Sequence, residues 1–253
     1  MEQFYGALAE WWPVISPVEE YAEEGAEIHR LIRTRRPDAR TLLELGSGGG
    51  HVAHYLAPYY TCCLTDVSAE MLAMSRLLNP RCDHVQGDMR TLDLGRTFDI
   101  VLAHDAIDYI TTEKDLARVA DTAWRHLTSG GLVVLVPDSV AETFEAGEDV
   151  SGGEAADGRA ARLFEWVEPV PAGSTRGTVH FSFLLREPNG HVRAVYERHE
   201  FGLFPVATWV RLLSERGFAV EVVVEETSDD RTPRRIFVGQ KPRDEEEGGS
   251  SAA

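Results

Sequence analysis

Cysteine is nearly absent: the 253-residue chain has three, Cys62, Cys63 and Cys82, with no CxxC pair and no Cys/His spacing of a metal site. That odd set argues against a disulfide framework and a zinc centre. The adjacent pair, in an apolar stretch, reads as buried free thiols. Long hydrophobic runs are missing too; none approaches the roughly 18 apolar residues a membrane span needs. The opening MEQFYGALAEWW lacks the basic segment and apolar core of a secretory signal, so a reducing cytoplasm is the expected location. Basic residues are scarce: 25 Lys and Arg stand against 42 Asp and Glu, for a formal net charge of −17 and a pI of about 4.9. Such a surface repels nucleic acids and anionic membranes, and neither is expected as a partner. Part of the excess lies in PRDEEEGGSSAA, which predicts a disordered acidic tail over 242–253. Apolar residues, 43% of the chain, suffice for a sizeable core.

What the chain does have is alternation. A short helix, a turn and a helix near Pro17–Arg36 come first, and Pro37 ends the last of these. Strand-like segments follow at Thr41–Leu45, Tyr60–Thr65, Asp83–Gln86, Phe98–Ala103 and Leu132–Pro137. Helix-like segments lie between them: one through about Leu56, one capped by Ser68 through about Leu78, and one over Glu113–Leu127 with Ser-Gly-Gly at 129–131 as a stop. This order predicts βαβ units, a parallel sheet and right-handed crossovers. The alternation then breaks. Residues 139–160 read as a loop or weak helix. Arg162–Val170, Gly177–Arg186 and Val192–Phe201 read as extended stretches, with a Pro-Asn-Gly turn at 188–190. An antiparallel insert over 139–204 is therefore expected within a main domain of 1–138 and 205–241. Pro205–Gly217 resembles a helix, and Phe218–Val224 with Arg235–Gln240 a closing strand pair.

The chemistry-bearing motif is LLELGSGGG at 42–50. A buried strand that carries an acid, Glu44, and turns through Gly46, Gly48, Gly49 and Gly50 leaves room for a ligand against bare backbone. Helix N–H groups after the loop add donors. A tight turn without ligand is the plain alternative. The dinucleotide fingerprint fails from Gly46, because its last glycine position is His51; from Gly48 a GxGxxA register exists, ending at Ala53, but it begins late and leaves Glu44 unexplained. Asp66 closes the next strand, where a carboxylate can bind a ribose diol or simply cap a helix. Asp88 and Met89 close the third, suited to an adenine amino group and ring. Three spaced strand-end acids point to a nucleoside cofactor, S-adenosylmethionine rather than NAD.

With ELGSGGG, TDVSAEML, QGDMRTLDL, FDIVLAHDAIDYI and LTSGGLVVLVPD in place, the chain resembles the class I S-adenosylmethionine-dependent methyltransferases over roughly residues 20–138. The resemblance implies a Rossmann-like α/β fold with a seven-stranded sheet. It places Glu44 and Gly46 near the methionyl end of the cofactor, with Ser47 and Gly48 also among the cofactor-binding residues, Asp66 at the ribose, Val67 and Met71 beside adenine, Asp88 and Met89 on adenine, and Ala103 and His104 near the methionyl portion. EYAEEGAEI, GDMRTLDLGRTFD, VHFSFLLRE and FVGQKP are also similar to actinobacterial N-methyltransferases of nucleotide-linked aminosugars. That narrower resemblance implies cofactor contacts from Tyr5 and Tyr21, and an antiparallel insert that helps form the acceptor site or a homodimer. Trp11-Trp12-Pro13 and His104-Asp105 depart from its pattern.

Methyl transfer is an in-line displacement that needs a base only when the acceptor must lose a proton. His104 and Asp105 follow the fourth strand, at the carboxyl edge where ligands bind, and are the candidate catalytic residues; Asp108 and Tyr109 come next. In the insert, Trp166, His180, Tyr196 and His199 are pocket candidates, with a solvated face as the alternative. Period-2 alternation sets His180 and Ser182 against Phe181 and Phe183. Trp11 and Trp12 would form a lid or pack an N-terminal helix. The sequence predicts a methyltransferase with a small-molecule N or O acceptor. A cofactor-binding protein or dimeric interaction module without methyl transfer, and an NAD-dependent oxidoreductase, are the alternatives.

Overall fold

The computed structural model describes residues 3–226, 228 and 232–243. The acidic tail expected over 242–253 lies outside the described residues from 244 onward. A short 3-10 turn leads into α1 (Trp12–Ile15), and α2 (Ala22–Arg35) follows. The alternating core then runs β1 (Thr41–Leu45), α3 (His51–Leu56), β2 (Thr61–Asp66), α4 (Ala69–Leu78), β3 (Asp83–Gln86), β4 (Phe98–His104), α5 (Glu113–His126) and β5 (Leu127–Val136). Four strands come next: β6 (Gly147–Ser151), β7 (Ala160–Val167), β8 (Arg176–Arg186) and β9 (Val192–Gly202). The chain closes with α6 (Val206–Arg216), β10 (Ala219–Val224) and β11 (Arg235–Gln240).

The main sheet has seven strands in the order β10-β11-β5-β4-β1-β2-β3, and β11 runs antiparallel to both neighbours. The central stretches 100–103 of β4 and 132–136 of β5 are apolar at every position because both faces are covered. On one face Leu43, Leu45, Val101, Val133 and Leu135 pack against α5 and α6 through Leu116, Val119, Trp209 and Leu213. On the other, Leu42, Leu64, Ile100 and Val134 meet Ile28, Leu31, Ile32, Val52 and Leu56 of α2 and α3. Ser68 caps α4 as expected, its Oγ accepting from the Met71 N–H at 3.0 Å.

The four-stranded antiparallel sheet, ordered β6-β7-β8-β9, buries one face against the N-terminal segment. Val179, Phe181, Phe183 and Leu185 point inward at period 2 and meet Phe4, Leu8, Trp11, Val14 and Ile15. The Phe4 and Phe183 ring centroids lie 4.7 Å apart. Gly202, the last residue of β9, touches the loop after β4: a Cβ there would lie 2.0 Å from the Ile110 carbonyl oxygen. Only glycine fits so close a backbone approach.

Two expectations are corrected. Residues 147–151 form an edge strand rather than loop or weak helix; GEDVS is exposed throughout and carries two acids, so it shows no alternation, as suits an edge. Ser-Gly-Gly at 129–131 does not stop α5 before a strand. β5 begins at once at Leu127, and Gly130, at φ +72°, takes up an irregularity within it.

Phe183 is fully buried where sheet and N-terminal segment meet. Phe183→Ala is expected to destabilise the fold by about 3–5 kcal/mol in urea denaturation. A loss under about 1 kcal/mol would contradict this packing.

Candidate functional site

A cleft of about 970 Å³ opens at the carboxyl ends of β1, β2 and β4, roofed by the N-terminal segment and walled on one side by the four-stranded sheet. Of the residues expected to bind a cofactor, Tyr5, Tyr21, Glu44, Gly46, Ser47, Gly48, Asp66, Val67, Met71, Asp88, Met89 and His104 line it. Ala103 does not. Its methyl faces the core under α5, because alternation along β4 turns it away from the cleft.

The glycine turn is shaped by backbone bonds. The N–H groups of Gly46 and Ser47 both donate to the Thr65 carbonyl at 2.8 Å. Gly46 has φ +73°, and a Cβ there would lie 2.5 Å from the Ala106 Cβ and 2.8 Å from Met89 Cε. Asp66 accepts from the Gly48 N–H at 2.9 Å and the Ser68 N–H at 2.8 Å. Burial raises its pKa against those bonds. Glu44 is 2% exposed, and burial, opposed mainly by His104, pushes its pKa up to about 8. Its Oε2 and the buried Ser47 Oγ have no hydrogen-bond partner among the described residues. Asp88 is paired within its own turn: the Arg90 side chain and backbone N–H both bond its carboxylate, and Arg90 foremost lowers its pKa.

The aromatic roof splits the Trp11–Trp12 pair. Trp11 is core. Trp12 lines the cleft and donates its indole N–H to His51 Nδ1 at 2.8 Å. Burial drops the His51 pKa to about 4, which keeps Nδ1 free to accept. Tyr21 lies beside His51 with its hydroxyl 2.8 Å from Ser16 Oγ; burial and Asp105 raise its pKa.

His104 and Asp105 sit in a buried ion network. His104 Nδ1 lies 3.1 Å from Asp105 Oδ1, and Nε2 lies 3.2 Å from Glu24 Oε2. Burial pulls the His104 pKa down, but Asp105 and Glu24 more than offset it and raise it to about 10. Between two carboxylates the cationic imidazole is favoured, and that form has no lone pair to accept a proton. Asp105, at the left-handed φ of +37°, is held ionised by His104 and Arg234 despite burial. Asp108 accepts from the Asp138 N–H at 2.9 Å; burial and Asp138 raise the Asp108 pKa, while desolvation and then Asp105 raise that of Asp138.

Where the loop after β4 meets the four-stranded sheet, the Tyr109 hydroxyl lies 2.7 Å from His199 Nδ1 and 2.9 Å from the Tyr5 hydroxyl. His199 is buried, and its Nε2 lies 3.0 Å from Glu197 Oε2. The other insert candidates do not reach the cleft. Trp166 and Tyr196 are exposed on the outer face, where His180 bonds Tyr196 and Glu168. His199 differs because it pairs with Val179, on the inward phase of β8. Sequence reasoning missed Glu24, Asp138, Glu165 and Arg234. Glu165 had a signal, as an acid in phase with the inward-facing Leu163 of β7; Arg234, distant in sequence from every partner but Glu225, had none.

Residues 43–135 match the family described as methyltransferase domain. The chain is 31% identical over 223 residues, 87% of its length and 91% of the relative's, to dTDP-3-amino-3,4,6-trideoxy-alpha-D-glucopyranose N,N-dimethyltransferase from Streptomyces venezuelae. Two solved structures are similar. DesVI of Streptomyces venezuelae superposes with TM-score 0.76 at 27% identity, over 87% of this chain and 91% of its own. The S-adenosylmethionine-bound aminopentose methyltransferase CalS10 from Micromonospora echinaspora does so with TM-score 0.74 at 25% identity, with the same coverage.

Glu44 ties stability to pH. The unfolded chain releases this proton near the ordinary value of 4.5, and the folded protein keeps it to about 8. Its contribution is therefore fully present below about pH 4.5 and is lost as pH rises through about 8. Glu44→Gln is expected to gain on the ligand-free wild type across that window in thermal denaturation. Parallel pH profiles would contradict the buried, unpaired carboxyl.

Proposed function

The chain belongs to the S-adenosylmethionine-dependent methyltransferases, and on that premise we propose that it methylates the amino group of a nucleotide-linked aminosugar. The methyl donor is S-adenosylmethionine, which supplies a reactive sulfonium methyl when bound. NAD is set aside with it. The residues present fit this cofactor. Glu44 Oε2 and Ser47 Oγ offer unused buried acceptors for an ammonium group, and Gly46 lets Ala106 and Met89 close against the turn beside them. In this reading Gly48 and Asp66 hold the ribose side, with Val67 and Met71 along adenine and Asp88 and Met89 at its edge. Tyr5 and Tyr21 cover the site, and the cationic His104 with Asp105 stiffens the floor under the methionyl end.

The observation that carries amine methylation is the Glu197–His199–Tyr109 chain on the acceptor wall. Glu197 holds Nε2–H of His199, which leaves Nδ1 unprotonated and able to accept the Tyr109 hydroxyl proton when that hydroxyl turns from the Tyr5 oxygen 2.9 Å away. As Tyr109 takes a proton from the acceptor's ammonium, it passes its own to Nδ1, which leaves the acceptor nitrogen with a free lone pair; the bound donor would supply the methyl, its carbon–sulfur bond breaking with the electron pair left on sulfur. The wall also aligns the acceptor and excludes water, which supplies much of the rate in such displacements.

The enzyme is further proposed to act as a homodimer in the cytoplasm. The outer face of the four-stranded sheet exposes Phe164, Trp166, Leu184 and Tyr196, an apolar patch suited to a second copy. No described helix is long and apolar enough to cross a membrane.

Calorimetry is expected to show binding of S-adenosylhomocysteine and none of NADH. Incubation with S-adenosylmethionine and the aminosugar nucleotide named above is expected to give N-methylated product by mass spectrometry. Binding without product on any amine acceptor would leave a cofactor-binding protein. His199→Ala should lower turnover roughly a hundredfold or more with S-adenosylhomocysteine affinity unchanged; full turnover would remove the relay. Light scattering that gives a monomer at micromolar concentration would sink the dimer.

A further inference from the structure

Glu165 lies on the inner face of β7 between Leu163 and Val167 in the alternation, and all three line the cleft. Its neighbours on that face are apolar, and packing alone would be served better by another apolar side chain. No side-chain hydrogen bond or ion pair among the described residues reaches its carboxylate. The charged groups facing it are acids as well: Asp138 from the end of β5, itself ion-paired with Arg234, and Asp149, its ladder partner on β6. Glu145 and Glu200 line the cleft too. Arg90 is the one lysine or arginine among the described lining residues, and it is committed to Asp88. Burial, then Asp138 and Asp149, push the Glu165 pKa up to about 7. A half-buried carboxylate without a counter-ion is costly to ionise. A ligand cation is what this wall lacks.

We infer that Glu165 determines acceptor specificity by binding the substrate's amino group as a cation, which makes the cleft select amines over the corresponding alcohols. This rests on the aminosugar reading above and names the residue that enforces it. Glu165 draws the ammonium into the cleft, and the Tyr109 hydroxyl takes the proton there. Because Glu165 is largely protonated in the empty protein below about pH 7, an incoming ammonium displaces its proton into solvent.

The test uses the full-length protein saturated with S-adenosylhomocysteine. It is titrated calorimetrically with dTDP-3-amino-3,4,6-trideoxyglucose and with the analogue bearing hydroxyl in place of the amine, in buffers of differing ionisation enthalpy. The wild type is expected to prefer the amine by roughly tenfold to a hundredfold, the scale of one charge-assisted hydrogen bond, and to release a proton on binding it. Glu165→Gln should lose both the preference and the proton release while S-adenosylhomocysteine affinity stays unchanged; Glu165→Asp should keep part of each. A Glu165→Gln protein that still prefers the amine, or still releases the proton, overturns the assignment. A wild type that binds S-adenosylhomocysteine but neither sugar instead overturns the aminosugar reading, and this assignment with it.

Discussion

The carboxyl edge of the sheet is held together by one guanidinium. Arg234 reaches Glu24 of α2 and Asp138 beyond β5 at 2.6 Å each, and Asp105 beyond β4 at 3.4 Å. Its backbone N–H donates to Glu225 beyond β10. Four acids from four separate pieces of chain therefore converge on one buried cation. The two most buried of them, Glu24 and Glu225, would each carry a desolvation penalty of several kcal/mol if left uncompensated. The imidazolium of His104 shares Glu24 and Asp105 with it, so the cleft floor is a closed electrostatic unit. In the proposed placement, the methionyl end of the cofactor rests on that unit, and a shift of any one of these loops strands a charge.

The first twenty residues serve both halves of the molecule. Phe4, Leu8 and Trp11 complete the core of the four-stranded sheet, while Tyr5 and Trp12, their sequence neighbours, face the cleft. Ser68 joins this segment to the main sheet, since its hydroxyl caps α4 and also donates to the Tyr5 carbonyl. Trp12 adds a second tie through His51. The roof of the cleft and its side wall are thus one packed body, which explains why a segment without long secondary structure is so well buried.

How far the sequence carried depended on what each residue's partners were. β1, β3 and β11 were legible to the residue, because hydrophobic runs bounded by turn residues are local signals. The strand-end acids were legible for the same reason, as was Ser68. β6 was invisible because an exposed edge strand needs no apolar pattern. His104 was correctly placed at the edge, but its protonation depends on Glu24 and Arg234, distant in sequence and known only once folded. His199 could be separated from His180 only by the sheet register. Local chemistry was readable; charge balance and facing direction were products of the assembled chain.

At Gly202 the four-stranded sheet meets the loop that carries Tyr109, backbone against backbone. A joint of that kind is closed to mutation. Lineages descending from such a chain would keep the distance between cofactor floor and acceptor wall fixed. They would explore new substrates only through the side chains that project from the wall, so diversification here is a matter of refurnishing a room whose dimensions are inherited.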